Sequence, residues 1–317
     1  MTARLIMKLQ VVDRQRVSPE VVAITLKHPL RPELPAWTAG AHVDLRLPDG
    51  KIRQYSLCGD PRDRSIYRIA VKREEVGRGG SRWVHENLGT GSIAHCSAPR
   101  SNFSLRADAR RHVLVGGGIG VTPVISMAYE ARNRGEPFEL HVLCRSRDFA
   151  PFAEELDKAF GQRLTIHCDD EKPADLPELL KGVAGESGAH LYFCGPSGLN
   201  TAIHAIAGKL KLPDGRLHHE LFQAAVDENF VPEPFEITVA TSGRTFHVPS
   251  DRSALDVLRE AGMVLPSSCE LGVCGACVCD YRDGEVIHRD VVLDADARKN
   301  KMTLCVSRVR GRVTVGL

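Results

Sequence analysis

Residues 269–277 read CELGVCGAC, and the three cysteines in this C-x4-C-x2-C pattern, Cys269, Cys274 and Cys277, decide what the C-terminal part of the chain is. A fourth, Cys305, follows in CVSR and completes the spacing of a plant-type 2Fe-2S ferredoxin site. Four thiolates suit that task because soft sulfur stabilises iron sulfide, and the short spacings let one loop wrap three ligands with its N–H groups turned to the sulfurs. Gly272 and Gly275 allow the backbone a close approach. A structural zinc site is the plain alternative, but zinc knuckles pair two C-x2-C-like halves and only one is present. Cys279 lies two residues past Cys277 at the start of an apparent strand, CVCDYR. Alternation turns it to the face of Cys277, so spacing alone leaves its role open; it is read as a buried structural thiol.

Around this loop, FEITVA, SGRTFHVPS, a helical SALDVLREAG and strands to Leu317 describe a small α+β domain, residues 235–317. Before it, the polar stretch QAAVDENFVPEP carries two prolines and reads as a linker, placed at 226–234. The whole chain has 317 residues, too many for one core, since single cores stop growing near about 250 residues, and three domains are expected. Lys and Arg number 42 against 40 Asp and Glu, which argues against a nucleic-acid-binding face. No apolar run has signal-peptide or membrane-spanning length, so a cytoplasmic protein without a membrane partner is expected, read as a monomer. Of ten cysteines, Cys58, Cys96, Cys144, Cys168 and Cys194 are scattered singly, so only the crowded set looks like a site.

Upstream the text changes style twice. From about Leu9 to Ala98, short β-rich runs (LQVV, VVAITL, HVDLRL, RQYSL, YRIAVK) separated by turn residues predict an antiparallel barrel or sandwich, assigned to residues 1–108. From His112, apolar strands alternate with helical stretches, which predicts a parallel α/β sheet with covering helices in residues 109–225. Its first strand runs into HVLVGGGIGVTP, where glycines Gly116, Gly117, Gly118 and Gly120 lead into a helix whose N-terminal amides favour a pyrophosphate. This is not the G-x-G-x-x-G fingerprint, and no acidic residue ends the next strand. A second strand ends in Cys194, Gly195 and Pro196 of LYFCGPSGLN; parallel sheets bind ligands at such ends, so both turns are expected to face one crevice, with Cys194 as a nicotinamide contact.

In the first domain, Arg53, Tyr55 and Leu57 share one face of a strand and Ser56 takes the other. Blandly this is an edge strand; an arginine beside a tyrosine also gives a phosphate contact next to a flat platform, as a flavin nucleotide requires. GRGGS, residues 77–81, precedes a helical SRWVHENL and offers a second anion-binding helix start, or merely a flexible turn.

Taken in order, RQYSLCGDP, IAVKREEVGRGGS, GGGIGVTP, CGPSGLN, HHELF, CELGVCGAC and CVSR make the chain resemble the phthalate dioxygenase reductase family, which serves Rieske-type aromatic oxygenases and O-demethylases, over nearly its whole length. The resemblance implies FMN in the barrel, NADH in the α/β domain, a 2Fe-2S cluster in the last domain and an oxygenase as partner. By the same resemblance Arg53, Gly80 and Ser81 would hold the FMN phosphate. Tyr55 and Ser56 would line the isoalloxazine, with edge contacts from Ala70, Val71 and Lys72, and Thr122 and Phe222 would reach it from the second domain. Gly117, Gly118, Cys194, Gly195 and Pro196 would bind nicotinamide and pyrophosphate, and Ser56 and Cys194 would orient the reacting groups. Arg145, with Arg147, follows the FELHVLC strand where a 2'-phosphate is read, which keeps NADPH open beside NADH. Two rivals stand against the reductase: an FAD-dependent reductase of another oxygenase class, disfavoured by domain order, and a redox-sensing iron-sulfur protein.

Overall fold

Six strands open the chain: β1 (Ile6–Ser18), β2 (Val21–Lys27), β3 (His42–Arg46), β4 (Ile52–Ser56), β5 (Tyr67–Lys72) and, after helix α1 (Gly80–Asn87), β6 (Ile93–Ser97). They pair antiparallel in the order β4-β3-β6-β1-β2-β5. A bridge from Leu57 to Ile69 joins the two outer strands of this ladder, so the sheet closes into a barrel rather than a sandwich. Leu9, Val11, Ile24, Val43, Leu57, Tyr67 and Ile69 fill its interior. The computed structural model describes residues 5–75, 79–224 and 229–317; Gly77 and Arg78 of the GRGGS stretch lie outside them.

The alternating segment forms β7 (Arg111–Gly117), α2 (Val121–Arg134), β8 (Phe138–Cys144), α3 (Ala153–Phe160), β9 (Leu164–Cys168), α4 (Leu176–Gly185), β10 (Ala189–Cys194), α5 (Ser197–Lys209) and β11 (Leu217–Glu220). The sheet is parallel throughout, in the order β11-β10-β7-β8-β9. Its central strands are apolar on both faces, as helices on either side demand; β10 is buried along its whole length. Successive strands run outward from β7 in one direction and, from β10, in the other, so the switch point lies between the ends of β7 and β10.

Barrel and parallel sheet belong to one compact unit ending at Glu220. The loop before β3 is clamped onto α2: the Ala39 amide donates to Glu130 at 2.8 Å and the Gly40 amide to the Ser126 hydroxyl at 2.9 Å. Gly40 has φ +78°, and a Cβ there would fall 1.6 Å from the Phe103 carbonyl oxygen, so only glycine fits.

The second unit starts at Leu221. It contains β12 (Phe235–Val239), β13 (Thr245–Val248), α6 (Ala254–Glu260), β14 (Val278–Arg282), β15 (Glu285–Ile287), β16 (Lys301–Thr303), β17 (Arg308–Arg310) and β18 (Arg312–Val315). Five of them form a mixed sheet, β13-β12-β18-β14-β16, whose core holds Phe235, Ile237, Leu255, Leu258, Met302 and Val313. Ser253 caps α6 by accepting from the Asp256 amide at 3.1 Å.

Candidate functional site

In the second unit the loop between α6 and β14 brings Cys269, Cys274 and Cys277 together, and Cys305, just past β16, closes the set. Cys269 and Cys277 are buried, Cys274 and Cys305 half-buried. The loop amides turn to the sulfurs: Leu271 N–H donates to Cys269 Sγ at 3.3 Å and Cys269 N–H to Cys274 Sγ at 3.4 Å. The Gly272 amide reaches the Cys305 sulfur, and those of Leu304 and Cys305 reach Cys277. Gly272 has φ +76°, and a Cβ would meet Val306 at 2.8 Å, so the tight wrap requires glycine. Glu270 is held at φ +57° by its buried carboxylate, which pairs with Arg259 of α6 at 2.7 Å. Crowding sets the electrostatics: hydrogen bonding to the Cys274 sulfur, then burial, holds the Cys269 thiol well above its ordinary range, and Cys277 does the same to Cys305. The same hydrogen bonds that raise Cys305 lower the Cys277 thiol, and four soft sulfurs ringed by amide donors fit a positively charged iron centre. Among the described residues no three His, Cys, Asp or Glu groups are arranged for a single metal ion; a plant-type cluster spreads its four thiolates over two irons. Cys279 points into the core of this unit, 7% exposed, and burial pushes its thiol up to about 12.

In the first unit, Arg53 leaves β4 and lies over the start of α1. A Cβ on Gly80 would fall 2.5 Å from Arg53 Nε, so the guanidinium passes against bare backbone at the helix N-terminus. The guanidinium donates to the Ile52 carbonyl at 2.8 Å, and the Ser81 hydroxyl accepts from the Glu74 amide at 3.0 Å. Guanidinium, hydroxyl and helix start together suit a phosphate. Tyr55 packs on the barrel core, and burial pushes its phenol up to about 12. Ala70 and Val71 are buried on β5, and the Val71 carbonyl is 2.8 Å from the His85 ring; Lys72 points outward to Glu74 at 3.0 Å.

At the switch point the two glycine turns pack backbone to backbone. A Cβ on Gly120 would fall 2.3 Å from the Cys194 carbonyl oxygen, and one on Gly117 would meet Leu199 at 2.8 Å and Pro196 at 3.0 Å. A Cβ on Gly195 would come within 3.2 Å of Gly117. Gly118 has φ +54°, and Thr122 donates to the Ile119 carbonyl at 3.0 Å. Gly120→Ala is therefore expected to destabilise the fold by about 1–3 kcal/mol, read as a lowered denaturation midpoint; a wild-type midpoint would show that the turns do not need this contact.

Sequence reasoning missed Glu220. It ends β11 beside Cys194 in the parallel register, and Ser56 Oγ donates to its carboxylate at 3.4 Å. Burial raises the Glu220 carboxyl from 4.5 to about 7, partly offset by the Ser56 hydrogen bond. Cys194 is fully buried and its thiol is pushed up by burial and then by Glu220. Phe222 belongs to the second unit and is half-buried. Arg145 and Arg147 are both engaged by acids. Arg145 pairs with Glu20 of the barrel at 2.7 Å and lies 4.1 Å over the Phe149 ring, and Arg147 pairs with Asp157.

A closed barrel with an arginine-lined helix start, a parallel sheet with an open switch point and a four-cysteine loop define a modular electron-transfer reductase. Comparison with known proteins agrees at each level. The family model for the 2Fe-2S iron-sulfur cluster binding domain matches residues 237–310. The phthalate 4,5-dioxygenase oxygenase reductase subunit of Pseudomonas putida is 38% identical over 97% of this chain and 95% of its own length. The vanillate O-demethylase oxidoreductase of Pseudomonas sp. (strain HR199 / DSM 7063) is 41% identical over 89% of this chain and 90% of its own. The solved structure of phthalate dioxygenase reductase, described as a modular structure for electron transfer from pyridine nucleotides to [2Fe-2S], superposes with a TM-score of 0.84 at 34% identity, covering 98% of both chains. The chain belongs to the phthalate dioxygenase reductase family and is an oxidoreductase.

Proposed function

We propose that the chain takes a hydride from NADH onto FMN and hands electrons singly, through a 2Fe-2S cluster on Cys269, Cys274, Cys277 and Cys305, to a Rieske-type oxygenase or O-demethylase. The observation that carries this is the meeting of Ser56, from the barrel, with Glu220 and Cys194, from the ends of β11 and β10. It joins the strand that offers a flavin platform to the turn that offers a nicotinamide contact. The FMN would convert electron pairs to single electrons and the cluster would carry them onward. The protein's own residues do the rest. Arg53, Gly80 and Ser81 grip the phosphate; Tyr55 and Ser56 line the ring, with edge contacts from Ala70, Val71 and Lys72, and Thr122 reaches it from the parallel-sheet part of the same unit. Gly117, Gly118, Gly195 and Pro196 let the dinucleotide lie close, and Cys194 orients its nicotinamide. Glu220 holds a titratable proton beside Ser56.

The pairing of Arg145 with Glu20 and of Arg147 with Asp157 neutralises the charge that a 2'-phosphate would need, which favours NADH over NADPH. The working division is a flavin domain over 1–108, a nucleotide domain over 109–225, a linker over 226–234 and a ferredoxin domain over 235–317. The stretch between β6 and β7 supports the first boundary, and the second compact unit starts at Leu221, a few residues ahead of the linker. Ten free cysteines suit a reducing cytoplasm, where the chain would act as a monomer alongside a separate oxygenase.

Steady-state oxidation of NADH and NADPH by the cofactor-loaded protein, with ferricyanide as acceptor, tests the reading. NADH should be the better donor; no turnover with either would overturn it. Gly80→Ala should loosen the released flavin roughly 10- to 100-fold, since it pushes Arg53 off a charge-assisted bond of about 1.5–3 kcal/mol. Flavin retained on dialysis measures this, and its mass distinguishes FMN from FAD.

A further inference from the structure

Cys144 and Cys168 look isolated in the sequence, and the fold makes them neighbours. Cys144 is the last residue of β8, Cys168 the last of β9, and the parallel register sets them side by side. Adjacent strands lie about 4.8 Å apart, inside the Cα separation of roughly 4.4–6.8 Å that a disulfide spans. Paired residues share a face of the sheet, and here the two sulfurs stand 3.7 Å apart. Both are free thiols with a little surface left, 7% and 5%. The proposed mechanism uses neither.

The surrounding backbone is already fastened. The Cys144 carbonyl accepts from the Asp169 amide at 3.0 Å, the Arg145 carbonyl from Asp170 at 3.2 Å, and the Cys168 carbonyl from Lys172 at 2.8 Å. The turns that leave β8 and β9 are thus held together at the sulfurs, and the same turns carry Arg145, Asp169 and Asp170 at the edge where a dinucleotide's adenosine end is read.

We propose that Cys144 and Cys168 form a reversible dithiol–disulfide pair responsive to two-electron oxidants such as hydrogen peroxide, and that closing it weakens dinucleotide binding at this edge; the second part rests on the function proposed above. One sulfur attacks the peroxide O–O bond and becomes a sulfenic acid as water departs. The other displaces the sulfenic hydroxyl, which leaves as a second water with the remaining thiol proton. Two thiols lose two electrons and two protons, and one peroxide becomes two waters. A dithiol reductant reverses the change. Burial pushes the Cys144 thiol up to about 12, so the response is slow and selects a small neutral oxidant. Closing the bond draws the sulfurs from 3.7 Å to about 2.05 Å, which pulls the Arg145 turn toward β9.

The test treats the holoprotein with hydrogen peroxide, alkylates remaining thiols under denaturing conditions and maps peptides by mass spectrometry. A Cys144–Cys168 linked peptide should appear, vanish with dithiothreitol and be absent from Cys168→Ser. The KM for NADH, with ferricyanide as acceptor, should rise at least about fivefold in the oxidised wild type and recover on reduction, while Cys168→Ser treated alike keeps its KM. Recovery of both residues in alkylated form overturns the pair, and a linked peptide with unchanged KM overturns its coupling to the dinucleotide. Untreated protein that fails to oxidise NADH would count against the proposed function, and the linked peptide would still decide the thiol pair.

Discussion

Replacing Cys305 with serine is expected to cut electron delivery to a one-electron acceptor protein such as cytochrome c by more than about 100-fold, because altering even an outer-shell partner of a metal site costs 10- to 100-fold. Hydride transfer from NADH to the flavin should be largely spared. The reason is structural: the cluster loop is built on the core of the unit from Leu221 onward, and the barrel and parallel sheet keep separate cores. Losing one thiolate from a loop whose amides already point at sulfur leaves the chain folded but the cluster incomplete. Anaerobic stopped-flow absorbance reads the flavin, and cytochrome c reduction reads the exit. Equal loss at both steps would refute the division of labour.

Glu220→Gln is expected to slow flavin reduction by about 10²-fold while leaving the chain at least as stable as wild type above neutral pH. Its carboxyl is raised from 4.5 to about 7 by burial. Between those values the folded chain keeps a proton that the unfolded chain releases, so stability falls as pH rises across the window and levels off above it. Glutamine removes that slope. For activity the sign is opposite: deprotonation near 7 places a negative charge beside Cys194, where positive charge develops on a nicotinamide giving up hydride, so the wild-type rate should climb with pH and the variant's rate should stay flat. Denaturation at pH 5 and pH 8 and flavin reduction across the same range check both halves. A variant that loses stability and rate together would make Glu220 a packing residue.

Legibility in the sequence followed the range of the contacts. The cluster loop could be read because three of its four ligands crowd into nine residues and its glycines answer a local need, φ +76° at Gly272. The parallel sheet showed through its apolar strands and intervening helices. Barrel against sandwich could not be told from strand runs alone, since the choice rests on one bridge, Leu57 to Ile69. The strand β11 was missed because LHHE lacks the apolar run of its neighbours. Glu220 therefore carries no signal of its own in the sequence beyond its place in the HHELF motif. Arg145 read as an open cation because its partner, Glu20, lies 125 residues away in the turn between β1 and β2. Cys144 and Cys168 read as isolated for the same reason: parallel register, not proximity in the chain, pairs them.

On the proposed function, electrons enter as hydride at the Ser56–Glu220–Cys194 meeting point and leave through the four-cysteine loop. Anaerobic titration of the cofactor-loaded protein with NADH, followed by visible absorbance and electron paramagnetic resonance, tests it most directly. Flavin absorbance should bleach and the resonance signal of a reduced 2Fe-2S cluster should grow with it. Bleaching of the flavin with a cluster that stays oxidised until a chemical reductant is added would rule out this electron path.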